Sequence, residues 1–110
     1  MFLMMKWVFE NGFRRYEWKC NSENIRSRKA AQRLGFSYEG VFRQMSISKG
    51  KNRNTSWFAA IDKEWNDLKK AYKIYFDENN FYNGNQIKSL SSLTEKILYK
   101  KDNLEFTPKN

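Results

Sequence analysis

The fold of this chain is decided by residues 18–36, which read WKCNSENIRSRKAAQRLGF. The first of them complete an alternation that begins at Arg15, with apolar side chains at every second position, as in a half-buried strand. A polar turn then leads to Asn24, a residue type that caps helix N-termini by accepting a bond from a backbone N–H. A helix is therefore predicted to follow Asn24 and to end at Gly35, because glycine adopts the left-handed conformation of a helix end.

The predicted helix has one narrow face of small residues, spaced i, i+3, i+4 and i+7. This face consists of Ser27, Ala30, Ala31 and Leu34. Such a face allows close packing on a sheet. The basic side chains lie elsewhere on the helix, at Arg26, Arg28, Lys29 and Arg33.

Two further strand-like segments follow, at residues 38–47 and 55–61. The residues between them include Gly and Asn, so a hairpin with a long loop at residues 48–54 is predicted. Gly40, inside the first of these segments, indicates a bulge.

Helices flank the strands on both sides. Residues 2–10 are mostly apolar and read as a helix that needs cover on most of its circumference. After Asp62, a suitable N-cap, apolar residues at helical spacing predict an amphipathic helix. A last helix is predicted over residues 92–100, where Ser92 and Glu95 form a capping-box pattern.

The order of these elements is helix, strand, helix, strand, strand, helix, helix. It predicts an α/β (α+β) fold with a small mixed sheet of about three strands, helices packed on the sheet, and a helical C-terminal tail.

The composition limits the partners and the kinds of catalytic site that the chain can have. The chain of 110 residues contains 21 Lys and Arg against 12 Asp and Glu, a formal net charge of +9. A positive charge favours anionic partners such as nucleic acid, acidic lipid or a phosphorylated cofactor, although by itself it indicates only a solvated basic surface. The sequence has no His, which excludes Ser-His and Cys-His nucleophilic sites and removes the usual nitrogen ligand of zinc. No metal is expected.

Three features of the sequence indicate the cellular compartment of the protein. A single cysteine, Cys20, excludes an internal disulfide and fits a reducing cytoplasm. No apolar run reaches the roughly 18 residues of a membrane span. Residues 1–9 lack the basic segment and the cleavage site of a signal peptide. We therefore expect a cytoplasmic protein with no membrane partner.

Residues 18–36 resemble the fifth strand and fourth helix of the GNAT superfamily of N-acetyltransferases, closest to its RimJ/RimL-like branch. The pattern N-x-x-S-x-x-x-x-x-R-x-G-F is present at every fixed position, from Asn24 and Ser27 to Phe36. The resemblance continues, in order, through EGVFRQ at 39–44, KGKNRNTSWF at 49–58, DKEW at 62–65 and NFYNG at 80–84. On this interpretation residues 1–62 are the C-terminal half of a GNAT domain, and residues 63–110 are a helical extension packed on it.

The resemblance begins inside what would be the family's third helix. The family's first strands, its fourth strand and its acyl-CoA pyrophosphate loop (Q/R-x-x-G-x-G/A) would precede Met1. We therefore expect a truncated acyltransferase that is weak or inactive alone. Its expected partners are acetyl-CoA, an amine acceptor, and either a second copy or a complementing N-terminal half.

In this family an acceptor amine attacks the thioester of acetyl-CoA directly, so the resemblance implies roles for particular residues. Asn24 would bind the pantetheine arm, and Ser27 would be the catalytic hydroxyl near the sulfur. Arg28 and Arg33 would reach a phosphate of the cofactor. From the residues alone, each side chain has a structural interpretation too: Asn24 as a plain cap, Ser27 as a packing residue, and both arginines as a solvated helix face.

Two alternatives belong to other functional classes. The chain is a non-catalytic remnant that acts as an oligomerisation or binding module, or it is a basic nucleic-acid-binding domain. The second would use Lys49, Lys51 and Arg53 of the hairpin loop. Nucleic acid is not the expected partner, because that loop lacks the interleaved aromatics that stack on single strands.

Overall fold

The structure, a computed structural model, describes residues 1–104, and a three-stranded sheet lies at its centre. The strands are β1 (Arg15–Asn21), β2 (Ser37–Ser48) and β3 (Lys51–Ile61). Their order is β1-β3-β2, and β3 is antiparallel to both neighbours. The prediction of three strands is confirmed, and so is the pairing of the last two as a hairpin.

The sheet differs from the prediction in being antiparallel rather than mixed. The first two strands run in the same direction and are joined through a helix, which is the pattern that suggested a parallel pair. The third strand lies between them and pairs with both, so no parallel ladder forms in the described residues.

The hairpin loop is also shorter than predicted. Ser48 pairs with Lys51, so the loop is two residues long instead of seven. Both loop residues have positive φ, 52° at Lys49 and 76° at Gly50, as a type I′ turn requires. The bulge at Gly40 is confirmed, since the register shifts between Tyr38 and Gly40.

Within residues 1–104, four α-helices accompany the sheet: α1 (Phe2–Glu10), α2 (Ile25–Arg33), α3 (Asp62–Phe76) and α4 (Leu90–Thr94). A short 3₁₀ turn (Glu78–Asn80) and a small hairpin of β4 (Phe81–Tyr82) and β5 (Asn85–Gln86) connect α3 to α4. None of the helices in residues 1–104 has the length and apolar character of a membrane span.

Two helix starts differ from the predictions. The last helix begins earlier and is shorter, because Ser89 rather than Ser92 caps it by accepting a bond from the Ser92 N–H at 3.2 Å. The third helix takes Ile61 as its N-cap residue, and Asp62 is its first residue. Glu64 then reaches back and accepts the Ile61 N–H at 3.0 Å.

One hydrophobic core joins the sheet to all four helices. It includes Phe58, which is fully buried on the central strand, and the phenol of Tyr72 on α3. Its other buried members are Met5, Phe9, Cys20, Ala31, Phe36, Ala60, Trp65, Leu68 and Leu90. This core fixes α2 against β1, and that contact creates the candidate site. The division of the chain at residue 62 stays a prediction, and residues 105–110 of the proposed extension lie outside the described residues.

Candidate functional site

The candidate site starts at the N-terminus of α2. Asn24 caps this helix, and its Oδ1 accepts a hydrogen bond from the Ser27 N–H at 3.1 Å. The capping role predicted for Asn24 is confirmed. The cap uses only the amide oxygen, and the Asn24 side chain is exposed. The Asn24 NH₂ group has no protein partner within residues 1–104 and is available to donate to a ligand.

The hydroxyl of Ser27, one turn into α2, is hydrogen-bonded to a side chain of the sheet. The indole Nε1 of Trp18, on β1, donates a hydrogen bond to Ser27 Oγ at 3.0 Å. An indole N–H can only donate, so the serine oxygen is the acceptor in this bond. Within the described residues the Ser27 hydroxyl donates to no protein atom, which leaves its proton for a group outside the protein.

A concave surface with a volume of about 580 Å³ lies over this turn of α2. Its lining includes the two residues above and the exposed Arg33 two turns along the helix. The Arg33 guanidinium makes no ion pair with a carboxylate of residues 1–104. Its backbone carbonyl accepts the Thr94 hydroxyl at 2.9 Å, so α4 fixes the main chain below it. The surface therefore has amide, hydroxyl and guanidinium donors along one helix.

Arg28 is placed differently from its neighbours. Its side chain is buried, with 3% exposed, and it forms an ion pair with the fully buried carboxylate of Asp102. Arg28 Nε and Nη2 donate to the two Asp102 oxygens at 2.9 and 2.8 Å, and Nη1 donates to the Ser22 carbonyl at 2.8 Å. These bonds raise the pKa of the guanidinium above its ordinary value. The interpretation of Arg28 as part of a solvated helix face is wrong, because its side chain lies in the interior, where it forms an ion pair with Asp102.

The pair also attaches the C-terminal segment to α2. The Asp102 N–H donates to Gln32 Oε1 at 2.7 Å, and the Leu104 N–H donates to Asp102 Oδ1 at 2.8 Å. Tyr38 packs nearby, and burial together with the Asp102 charge raises the pKa of its phenol. This side of α2 is structural, while Ser27 and Arg33 line the concave surface.

The other candidate groups lie away from this surface. Cys20 is buried in the core, as the alternation predicted, and carries a free thiol. Lys49 and Lys51 are exposed at the tip of the hairpin. The described residues contain no group of three or more His, Cys, Asp or Glu that could hold a metal.

The sequence interpretation missed two residues, Trp18 and Asp102. Trp18 was assigned only to the buried face of a strand, although a tryptophan at that depth needs a partner for its N–H. That need was the available signal. Asp102 gave no signal, because it lies 74 residues from Arg28 in the chain.

Two solved structures with a similar fold are named as acetyltransferases. The chain superimposes on a GCN5-related N-acetyltransferase from Brucella melitensis with a TM-score of 0.81 and 48% identity, covering 86% of this chain and 43% of that one. The fold is GNAT-like. A probable acetyltransferase of the GNAT family from Chromobacterium violaceum is also 48% identical, with a TM-score of 0.58, covering 59% of this chain and 33% of that one. The chain thus spans less than half the length of either.

Searches with protein-family models and against curated proteins find no match. The likeness to GNAT acetyltransferases is therefore supported by solved structures, these two among them, and by the sequence pattern from Asn24 to Phe36.

Proposed function

We propose that the chain acts in acyl-CoA-dependent N-acyl transfer, moving an acetyl group from acetyl-CoA to an amine, in the manner of the RimJ/RimL-like branch. The GNAT-like fold and the names of the two similar proteins support acetyl transfer in general. The chain spans 43% of the length of the Brucella melitensis protein, so its residues form one side of the proposed site.

The observation that carries this proposal is the Ser27 hydroxyl, whose oxygen accepts the Trp18 N–H while its own proton has no acceptor among residues 1–104. In the transfer, the amine nitrogen bonds to the acyl carbon and the carbon–sulfur bond breaks, leaving negative charge on sulfur. A hydroxyl held beside that sulfur stabilises the charge by donating a hydrogen bond, and the proton that the amine gives up on becoming an amide balances the one that the thiolate takes up to leave as free CoA. The Trp18 bond orients the hydroxyl, because an acceptor already engaged on one side presents its proton elsewhere.

Asn24 and Arg33 extend the same surface. The Asn24 NH₂ group would donate to an amide carbonyl of the pantetheine arm. The exposed Arg33 would contact a phosphate of the cofactor, for which a planar guanidinium is suited. Arg28 is engaged with Asp102, so we give it the role of fixing α2 rather than of binding phosphate.

The test of the cofactor site is calorimetric titration of the chain with acetyl-CoA. We expect weak binding that falls several-fold in Asn24→Ala and in Arg33→Ala, since each hydrogen bond to a charged or polar ligand contributes roughly 0.5–3 kcal/mol. Lys88→Ala, an exposed cation away from the surface, is the matched control. Binding that is absent, or equal in all variants, would remove Asn24 and Arg33 from the site and favour a non-catalytic module.

The test of chemistry supplies the rest of a complete enzyme. The chain is joined behind the N-terminal residues of the Brucella melitensis protein that it does not cover, and release of free CoA is followed with a small amine as acceptor. We expect Ser27→Ala to lower kcat by about tenfold or more, with little change in acetyl-CoA affinity. An active chimera whose kcat is unaffected by Ser27→Ala would contradict the assigned role.

A further inference from the structure

Strand β2 is interrupted by a wide bulge in the middle of its hairpin with β3. The register of the pairing shifts between Phe42 and Ser46. Residues 43–45 of β2 therefore lie opposite the single residue Asn54 of β3. The central residue of the bulge, Gln44, has a φ of 50°, in the left-handed region that non-glycine residues seldom occupy. Bulges redirect side chains, and strained backbone of this kind is concentrated at functional sites.

The side chain opposite the bulge, Asn54, is buried and carries a donor without a partner. Only 3% of this residue is exposed. Its Oδ1 accepts a hydrogen bond from the Gln44 N–H at 2.8 Å, which fixes the orientation of the amide, because a flipped amide would set two donors against each other. The Asn54 NH₂ group has no hydrogen-bond partner within residues 1–104. A buried donor in this condition is costly to the fold, so it marks a position for an acceptor atom of a bound molecule.

An open cavity of about 610 Å³ lies at the bulge, and its lining includes Asn54 and Arg43. The Arg43 guanidinium is exposed and forms no ion pair with a carboxylate of residues 1–104. Phe42 and Met45, each about half exposed, give the cavity an apolar side. No Asp or Glu of the described residues lines it. A cation, an amide donor and apolar surface together suit a small molecule that has a carboxylate on an aliphatic chain.

The cavity lies at the end of the sheet that leads into α2. The Asn54 carbonyl accepts the Ser22 N–H at 2.9 Å, and Ser22 is followed within two residues by the Asn24 cap. The candidate surface for acetyl-CoA therefore begins one short turn away from the cavity. The cavity belongs to β2 and β3, whereas the resemblance places the family's preceding strand beside β1, at the opposite edge of the sheet. Asn54 is thus buried by the described residues themselves.

We propose that this cavity binds the carboxylate of the acceptor, so that the amine acetylated by this protein also carries a carboxylate, as amino acids do. The carboxylate lies between the Arg43 guanidinium and the Asn54 NH₂ group, and the aliphatic part of the molecule contacts Phe42 and Met45. The exposed side chains of the bulge change rotamer to admit it, as side chains at binding sites commonly do. The identity of the acceptor rests on the proposed acetyl transfer, whereas carboxylate binding requires no catalysis.

The first arm of the test measures carboxylate binding directly. The whole chain is titrated with sodium butanoate at constant ionic strength, and binding is followed by NMR chemical-shift changes. Butanol, which has no charge, is the comparison ligand. We expect weak binding of butanoate and no binding of butanol over the same range of concentration. Arg43→Gln and Asn54→Asp should each weaken butanoate binding about tenfold, and Arg14→Gln should leave it unchanged.

The three variants are matched to the two proposed contacts. Arg43→Gln removes a cation from an exposed position, so the fold is kept. Asn54→Asp retains an oxygen for the Gln44 N–H but replaces the NH₂ group with a second acceptor, which repels a carboxylate. Arg14→Gln makes the same change as Arg43→Gln, at an exposed arginine beside the opposite end of β1. Circular dichroism confirms that every variant is folded.

The second arm uses the chimeric enzyme with pairs of amines that differ only in the carboxylate. β-Alanine is compared with propylamine, and γ-aminobutyrate with butylamine. We expect kcat/KM for at least one of the amino acids to exceed that of its matched alkylamine by about tenfold or more. In Arg43→Gln this preference should disappear while kcat/KM for the alkylamine is kept. A purely structural role of Arg43 would instead lower kcat/KM for both members of a pair.

The two arms separate the carboxylate site from the proposed function. Butanoate binding that weakens in Arg43→Gln and Asn54→Asp, together with a preference for amino acids that depends on Arg43, supports the proposal. Butanoate binding that is absent, or equal in all variants, would overturn it and leave a water molecule as the partner of the Asn54 NH₂ group. An active chimera with no preference for amino acids would overturn the assignment of the acceptor. A chimera that is inactive with every amine would contradict the proposed function, and the butanoate titration would then decide the carboxylate site by itself.

Discussion

The indole Nε1 of Trp18 lies 3.0 Å from Ser27 Oγ and joins strand β1 to helix α2. The same indole ring packs against Phe36 at 5.6 Å between centroids, which fixes its orientation. Ser27 is therefore held from two sides, by its own helix through the Asn24 cap and by the sheet through Trp18. A hydroxyl constrained in this way has few orientations left for its proton.

Trp18→Phe should separate positioning from packing at this site. Phenylalanine keeps an aromatic ring against Phe36 but has no N–H for Ser27. Loss of one such hydrogen bond should cost about 1 kcal/mol of unfolding free energy. A urea-denaturation cycle of Trp18→Phe, Ser27→Ala and the double variant should give a coupling energy of similar size.

The same variant has a kinetic signature. In the chimeric acetyltransferase, Trp18→Phe should lower kcat while acetyl-CoA affinity is kept, because the hydroxyl is present but unoriented. Trp7→Phe, on the exposed face of α1, is the control and should change neither quantity. A loss of stability with unchanged kcat would reduce Trp18 to a purely structural role.

The buried pair of Arg28 and Asp102 should be required for stability. Asp102→Asn removes the carboxylate of this ion pair, and breaking a buried ion pair typically costs about 3–5 kcal/mol. Thermal or urea unfolding of this variant is the measurement. The double variant Arg28→Met, Asp102→Leu removes both charges and should recover most of the loss.

The control for this pair is an exposed one. Lys101→Ala removes the bond from Lys101 Nζ to Glu95 Oε1, which measures 2.6 Å but lies in solvent. Solvent-exposed pairs contribute little, so its stability should match that of the wild type. Equal effects of Asp102→Asn and Lys101→Ala would show that burial does not strengthen the Arg28 pair.

Local signals in the sequence predicted the parts of the fold that depend on single residues. Asn24 and Gly35 bound α2 because a side-chain acceptor and a left-handed glycine each act on the adjacent turn. The hairpin turn was missed because Lys49 takes a positive φ that non-glycine residues rarely adopt, so the signal for a two-residue loop was weak. Ser89 and Ser92 are both able to cap a helix, and the sequence pattern does not decide between them; in the structure the cap is Ser89.

The site could be predicted only where the signal was local. Asn24 and Ser27 lie three residues apart, and their relation follows from helix geometry. The burial of Arg28 depends on the carboxylate of Asp102, near the C-terminal end of the described residues. No sequence pattern near Arg28 predicts that burial. The bond from Trp18 depends on how the sheet meets α2. Tertiary geometry therefore separates Arg28, which is structural, from Arg33, which stays exposed.

Two carboxylates should show opposite effects of charge on stability. Hydrogen bonds from Arg15, one of them 3.0 Å long, lower the pKa of Glu39 in the folded state. The charge of Glu39 therefore stabilises the fold at pH values above its pKa in the unfolded state. This stabilisation is lost as the pH falls through its pKa in the folded state. Burial raises the pKa of Glu64, so its charge opposes folding at neutral pH, and the cost is relieved as the pH falls through that raised value.

Urea denaturation at pH 7 and pH 3.5 tests these signs. Glu39→Gln should destabilise the protein at pH 7, by at most about 1 kcal/mol because the pair is exposed, and the effect should shrink at pH 3.5. Glu64→Gln should be neutral or stabilising at pH 7, since glutamine keeps an oxygen for the Ile61 N–H, and its effect should also shrink in acid. Variants that both destabilise at pH 7 by the same amount would refute the assignment for Glu64.

Gly35→Ala should test how closely α3 packs on the end of α2. Gly35 has a φ of 99°, which an alanine adopts only with strain, and it donates to the Gln32 carbonyl at 3.1 Å to end the helix. A Cβ at this position would overlap Cδ2 of Leu68, a side chain that is fully buried on α3. The strain and the displaced leucine together should cost about 2–3 kcal/mol.

Gly12→Ala separates the two contributions. Gly12 has a φ of 86° at the end of α1, but a Cβ there would meet no atom within 4 Å. Its substitution therefore reports backbone strain alone, and the excess loss in Gly35→Ala reports the contact with Leu68. Leu68→Ala in the Gly35→Ala background should then relieve the overlap. The double variant should therefore lose less unfolding free energy than the sum of the losses in the two single variants. Equal losses of unfolding free energy in Gly12→Ala and Gly35→Ala would mean that Leu68 moves aside at no cost in free energy. In that case α3 would not be tightly packed on the end of α2.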